Sequence, residues 1–325
     1  MFGLIFIPLL AVHLLLVNVA MAGPFVCIWL EWRGTRRDDL LAAKIGERLA
    51  RDAVWALLLA AGVGVIMVGL LWFTTDRAYF RGVEAVPASR LWAALGELVF
   101  SVVLLAAYAF AWNWFRRLRW LHRTVAFLAA TNLMYHFPPL FAAINLLSST
   151  PKYWGKTLPS DEFRRLLFDP FVLSQAAHVW LASLAVVGTL LMFYALRLQK
   201  KNRVELGPQP TIIAGWGAWI ALVPTLLQLL VGAWVLFELP EVDRSRMLGD
   251  SIPASIILAA GVLAALRLMH LLATIALGER TPRQLKSAIG TMLVTVLLMS
   301  ATLHISSERE ELTVSHQKDV TRHDS

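Results

Sequence analysis

Residues 171–196 read FVLSQAAHVWLASLAVVGTLLMFYAL and contain no aspartate, glutamate, lysine or arginine. As an α-helix this stretch is roughly 39 Å long, enough to cross the roughly 30 Å hydrocarbon core of a bilayer. Comparable apolar stretches recur along the chain. Together they give eight predicted spans, at approximately 3–30, 53–74, 91–114, 124–148, 171–196, 211–237, 254–277 and 287–305. The sequence therefore predicts an all-α integral membrane protein, a bundle of about eight transmembrane helices.

The composition of the 325-residue chain supports this class. Apolar residues make up 58% and charged residues only 16%, against roughly 25% charged in an average soluble domain. This composition excludes a soluble globular domain and a disordered chain. The only cysteine, Cys27, excludes a disulfide framework, and without a CxxCH motif no covalent c-type haem is attached.

The loop charges predict the orientation of the spans. Loops that follow odd-numbered spans hold 17 lysines and arginines; the other side holds 12 together with 14 acidic residues. By the positive-inside rule, both termini lie outside a bacterial cytoplasmic membrane. This topology accounts for the net charge of +8, so nucleic acid is not needed as a partner. We divide the chain into a transmembrane helical domain, 1–306, and a short polar external tail, 307–325.

Histidines inside the spans are the sharpest functional feature. His13, His136, His178 and His270 lie in four different apolar spans, where ionisable groups are costly and usually functional. Neutral imidazole is a good axial ligand for a haem held between helices. A single such histidine is better explained by a hydrogen bond across helices, but four favour non-covalent b-type haem.

Depth along the helices groups these histidines. Counted from the span ends, His13, His136 and His178 share one layer in the outer half, whereas His270 lies closer to the cytoplasm. His122 precedes His136 by fourteen residues, a spacing that would stack two haems on one face about 21 Å apart. The surrounding Arg-Leu-Arg-Trp-Leu-His-Arg favours an interfacial position for His122 instead.

Two charged side chains lie within the predicted spans, Glu97 and Arg267. The arginine is a candidate partner for a haem propionate, and the glutamate is a candidate contact for a quinol or a proton. Both charges have a simpler explanation, because long charged side chains can reach towards the nearest aqueous interface.

The segment Leu173-Ser-Gln-Ala-Ala-His178-Val-Trp-Leu-Ala-Ser-Leu-Ala resembles subunit I of the cytochrome bd quinol oxidases. In that family a helix of this pattern carries a histidine ligand of the low-spin b haem. The resemblance implies that role for His178, and it places His13 like the histidine that ligates a haem of the oxygen-reducing site. Further similar segments follow in the same order, namely Ser101–Trp112, Leu121–Asn132, Leu227–Gly232 and Arg267-Leu-Met269. The last resembles the family's Arg-x-Met, which makes Met269 a candidate second ligand of the low-spin haem.

The departures from the family indicate a changed function. Ser101 stands where the family has its haem-site glutamate, with Glu97 one turn earlier. The quinol-binding loop is reduced to Glu238–Pro253, the Gly-Arg-Gln-Pro-Trp motif is absent, and no ninth helix follows the eighth. His136 has no counterpart among the family's ligands and is a candidate replacement ligand.

These observations favour a membrane b-type cytochrome subunit that exchanges electrons between the quinone pool and an external redox partner. Other subunits of a membrane redox complex are expected, with a cytochrome c or an iron–sulfur protein on the outer face. Two alternatives remain open: a reduced but active bd-type quinol:oxygen oxidase subunit, and a haem-free structural or transport subunit.

Overall fold

The computed structural model describes residues 2–73, 77–201 and 209–308, which form eleven α-helices and no strand. In chain order these are α1 (Phe2–Arg36), α2 (Leu40–Trp72), α3 (Ala78–Ala85), α4 (Ala88–Phe110), α5 (Arg119–Ser149), α6 (Ser160–Leu166), α7 (Pro170–Lys201), α8 (Gln209–Glu238), α9 (Glu241–Ser245), α10 (Ile252–Leu277) and α11 (Pro282–Glu308). Helices α3, α6 and α9 are short and belong to connections. The other eight correspond to the eight predicted spans, which confirms the predicted all-α membrane bundle.

Among the described residues, seven helices are long and apolar enough to cross a membrane: α1, α2, α4, α7, α8, α10 and α11. The exception is α5, which has 31 residues but carries Asn132, His136 and a Pro138–Pro139 pair in its middle. These residues lower its mean hydropathy. Helix α5 nevertheless packs against α1, α4 and α7 and is part of the bundle.

The eight long helices form two four-helix units with the same order of contacts. In the first unit α1 packs on α2, α2 on α4, α4 on α5, and α5 on α1; in the second the corresponding ring is α7, α8, α10 and α11. The units meet through α1 against α7, α1 against α11 and α5 against α7. His13 on α1 and His178 on α7 therefore lie on corresponding helices at the junction of the two units.

Two glycines allow α7 and α8 to approach each other closely. A Cβ atom built on Gly188 would lie 2.5 Å from the carbonyl oxygen of Gly217. Such close backbone approach between small residues is typical of helices packed in a membrane. This contact holds α8 against α7 in the second four-helix unit.

We name the end of the bundle at which α1, α4, α7 and α10 begin the upper end, and the opposite end the lower end. The upper end is the one predicted to face outside. The predicted tail, 307–325, lies outside the described residues from residue 309 onward, while α11 continues to Glu308.

Asp39 begins α2 at the lower end. Its side chain accepts a hydrogen bond from the Ala42 N–H, 3.0 Å away, and pairs with Arg33 Nε at 2.7 Å. Burial by itself would raise the pKa of Asp39, but the hydrogen bond from Ala42 and the Arg33 pair outweigh it, so the pKa lies below its usual value. Asp39 thus caps α2 as a carboxylate.

Candidate functional site

A polar band in the upper half of the bundle separates two hydrophobic clusters. The lower cluster draws on all eight long helices, and the upper cluster joins α5 and α7 to the connections above them. The boundary between the clusters falls near Glu97 on α4, just above His136 on α5 and near His178 on α7. On α1 the lower cluster stops just below His13. The three histidines predicted to share one layer, together with Glu97, therefore lie near the level at which apolar packing is interrupted.

His13 is held in an orientation that leaves one ring nitrogen available. Its Nδ1 lies 3.0 Å from the carbonyl oxygen of Ala60 on α2. A carbonyl only accepts, so Nδ1 carries the proton and Nε2 keeps its lone pair. Gly64 leaves room for the ring, because a Cβ there would approach His13 Cε1 to 3.2 Å. A backbone carbonyl that fixes the far nitrogen is the usual arrangement of a metal-ligating histidine.

Two sets of polar contacts cross the interface between α4 and α5. We call this interface the α4–α5 seam and the two sets its lower and upper rungs. In the lower rung, Asn132 Nδ2 donates to Ser101 Oγ at 2.8 Å and to the carbonyl oxygen of Glu97 at 3.1 Å. One turn higher, Glu97 Oε1 faces His136 Nε2 at 3.9 Å. The structure thus brings together Glu97 and His136, two of the residues that the sequence predicted as site residues. Ser101 is fully buried and bound to Asn132.

His178 lies on α7 with its Nδ1 buried and without a hydrogen-bond partner among the described residues. An unpaired buried polar atom is costly and calls for an explanation. Two residues further along, Trp180 Nε1 donates to the carbonyl oxygen of Met134 on α5 at 2.9 Å, which ties α7 to α5 at this depth. His178 therefore has a fixed helix and an unused ring nitrogen, and both features fit an iron ligand.

The candidates on α10 have a different setting. Arg267 and His270 are exposed on the outside of the bundle, and Met269 is partly buried. Within the described part of the chain, no hydrogen bond or ion pair joins any of the three to His13, His136 or His178. The pairing of Met269 with His178 remains a prediction of the resemblance.

The lower end contains a buried network that the sequence analysis did not find. His122 is fully buried, with Nδ1 2.9 Å from Glu31 Oε2 and Nε2 2.8 Å from the carbonyl oxygen of Tyr108. His122 lies in the first turn of α5, at the lower end of the bundle, and within that end its side chain is packed inside the protein. Both ring nitrogens are occupied, so His122 has none left for iron in this arrangement.

Glu31 is the centre of the network. Its buried carboxylate also accepts hydrogen bonds from Tyr108 Oη at 3.3 Å and from Arg119 Nη1 at 3.2 Å, and Arg123 Nε lies 3.8 Å away. The network ties the end of α1 to α4 and α5. Sequence reasoning missed it because Glu31 and its partners are 77 or more residues apart; the one local signal is an acid at the end of an apolar span.

No group of three or more His, Cys, Asp or Glu side chains suited to hold a metal ion occurs among the described residues. A haem does not need such a group, because the porphyrin supplies four iron ligands and the protein adds only one or two axial ones. His13 and His178, on corresponding helices of the two units, are the side chains whose geometry fits that requirement.

Comparison with known proteins identifies the fold. No family model and no curated protein matches the sequence. Among solved structures, a chain of the bd oxidase from Geobacillus thermodenitrificans matches with a TM-score of 0.70 and 16% sequence identity. The match covers 94% of this chain and 84% of that chain. This protein therefore has the fold of a bd oxidase chain, as the resemblance implied.

Proposed function

We propose that this protein is a b-type cytochrome subunit of a respiratory complex in a bacterial cytoplasmic membrane, exchanging electrons between the quinone pool and a redox partner. The bd-oxidase fold and the polar band support the proposal. The observation that carries it is His13, whose Nδ1 is engaged by a backbone carbonyl, so that Nε2 is free for iron. A haem held in the band would supply one-electron chemistry.

Different residues would bind the haem iron and orient its ligands. His13 and His178 would hold the haem iron through ring nitrogens from α1 and α7, which pack against each other at the junction of the two units. Ala60 holds the His13 ring through its carbonyl, and the apolar clusters above and below keep water away. An external cytochrome c or iron–sulfur protein would exchange electrons at the upper end, to which the band is closer.

A reduced but active quinol:oxygen oxidase is the second candidate, and Glu97 favours it. Oxygen reduction needs a carboxylate near the haem site as a proton supply, and Glu97 lies one turn above Ser101 in the band. Ser101, however, has a hydroxyl in place of an ionisable carboxyl group, and its oxygen accepts a hydrogen bond from Asn132. These residues favour electron transfer over oxygen chemistry.

The test begins with a reduced-minus-oxidised spectrum and the haem content of the purified protein. Haem is expected, with His13→Ala and His178→Ala each removing absorbance while the protein still inserts and folds. His270→Ala tests the competing assignment on α10 and should leave the spectrum unchanged. Absence of haem would support the structural or transport alternative. A large shift with carbon monoxide and quinol-driven oxygen uptake would support the oxidase.

A further inference from the structure

The upper rung of the α4–α5 seam opens sideways, out of the bundle. Side-chain exposure is 36% for His136 and 33% for Glu97, although both lie well inside long helices. Glu97 is nine residues from the start of α4, about 14 Å along the helix. Because α4 is long and apolar enough to cross a membrane, we expect the exposed sides of these groups to face lipid hydrocarbon, where an ionisable side chain without a partner is expensive.

The seam does not need this pair for its own packing. The lower rung already joins the helices, because Asn132 binds both Ser101 and the Glu97 backbone. Above the rung, Ala94 and Leu140 belong to the upper hydrophobic cluster. Leucine at position 97 and phenylalanine at position 136 would continue that apolar seam at no cost in desolvation.

The gap between the Glu97 and His136 side chains is wide enough for one atom that bridges them. At 3.9 Å, Glu97 Oε1 and His136 Nε2 are too far apart for a direct hydrogen bond. An oxygen atom about 2.8 Å from each would bridge them. Such an oxygen must donate to the carboxylate and accept from the imidazole N–H, and a hydroxyl group does both. A carbonyl oxygen or a carboxylate would satisfy only the histidine.

The surroundings of the opening indicate what carries that hydroxyl. Phe100, one turn below Glu97, is 48% exposed, and Tyr135, whose ring lies 4.9 Å from the His136 ring, is 70% exposed. A ligand that arrives here has crossed hydrocarbon and meets aromatic faces. These conditions select a lipid-soluble aromatic ring that bears a hydroxyl group.

We propose that Glu97 and His136 form a binding site for a hydroquinone headgroup that enters from the bilayer between α4 and α5. One phenolic hydroxyl donates to Glu97 and accepts from His136, while the ring lies against Phe100 and Tyr135. The inference rests on the proposed exchange of electrons with quinones and specifies where the quinol binds. It assigns His136 to the quinol instead of to iron.

The test uses the full chain in nanodiscs and decylubiquinol under argon as the probe. Glu97→Leu and His136→Phe each remove one hydrogen bond and fit an apolar seam, so each should raise Kd about tenfold or more. Thr131→Val is the matched control, because its hydroxyl binds the Phe127 carbonyl oxygen of its own helix, at 2.8 Å. Its Kd should stay within twofold of the unmodified protein.

A photoreactive azidoquinol with a short tail locates the site directly. Labelled peptides should come from residues 93–100 and 132–139, and both substitutions should suppress the label. Label confined to α7, α8 or α10, or a Kd that neither substitution changes, overturns the proposal. Loss of a haem equivalent in His136→Phe overturns it too, because His136 would then ligate iron. If the protein holds no haem but labels at α4–α5, the cytochrome proposal fails while this site stands.

Discussion

Replacing Glu31 by glutamine removes the acceptor on which the buried network at the lower end depends. Glu31 is 1% exposed, and its carboxylate accepts hydrogen bonds from His122 Nδ1, Tyr108 Oη and Arg119 Nη1. Glutamine has nearly the same shape but offers one oxygen and, in place of the second, an NH₂ group that donates. At least one donor of the network therefore faces another donor.

The structure sets the size of the effect. His122 is fully buried between Glu31 and the Tyr108 carbonyl, so it cannot turn to water for a new partner. Breaking a buried pair by removing one partner typically costs about 3–5 kcal/mol. Because the glutamine oxygen still serves one donor, we expect about 3 kcal/mol for Glu31→Gln and more for Glu31→Ala.

The surface pair Glu47–Arg51 provides the matched control. Like Glu31 with Arg119, it joins a glutamate to an arginine, here at an N–O distance of 2.5 Å, but the Arg51 side chain is 54% exposed. Exposed ion pairs contribute only about 0–1 kcal/mol to stability. Unfolding of the purified protein by SDS in mixed micelles should show a large loss for Glu31→Gln and almost none for Glu47→Gln. The double variant Glu31→Gln/His122→Gln should be less destabilised than the sum of its single variants, since the two side chains interact.

Equal and small effects of the two glutamine substitutions would refute the reasoning, since they would mean that water reaches the network. Additivity of the Glu31 and His122 substitutions would refute it as well. In either case the lower end would be held by apolar packing alone.

Three further predictions concern topology, the cap of α2 and the α7–α8 contact. A reporter fused after Ser325 should be active only outside the cytoplasm, and activity inside would contradict the eight-span topology. Asp39→Ala should lower the free energy of unfolding by about 1 kcal/mol at pH 7. Because the pKa of Asp39 is depressed in the folded state, its contribution to stability is present above the unfolded-state pKa and is lost as pH falls through the folded-state pKa. The melting temperatures of the unmodified protein and of Asp39→Ala should therefore converge in acid. Gly188→Ala should cost about 1–3 kcal/mol through backbone overlap, whereas Gly69→Ala, with nothing within 4 Å of the added Cβ, should be neutral or slightly stabilising in the same unfolding assay.

The class of fold could be predicted from sequence alone because a bilayer imposes a one-dimensional rule. Any helix that crosses hydrocarbon needs about twenty mainly apolar residues in succession, and 171–196 satisfies that rule without reference to the rest of the chain. The rule is least informative for α5, in which Asn132 and His136 interrupt the apolar run. There the tertiary structure supplies the explanation, because Asn132 bonds Ser101 and His136 faces Glu97, both on the neighbouring α4.

The sequence predicted how deep the candidate site residues lie along their helices, but not which groups they contact. Counting residues placed His13, His136 and His178 in one layer, because the rise per residue of a helix is fixed. Counting does not say which way a side chain points around the helix when all its faces are apolar. Only the packed structure turns His136 towards Glu97 and His13 towards Ala60, and leaves His270 exposed on the outside of the bundle.

The sequence by itself thus determined that the chain crosses a membrane repeatedly as helices and where its ionisable groups lie along them. The tertiary structure alone decided that α1 and α7 meet at the junction of two units, and that Glu31 and His122, 91 residues apart, share a buried hydrogen bond. The physical reason is that the bilayer acts on each helix separately, through its length and apolar content. Contacts between helices depend instead on how side chains far apart in sequence fit together, and no local pattern records that fit.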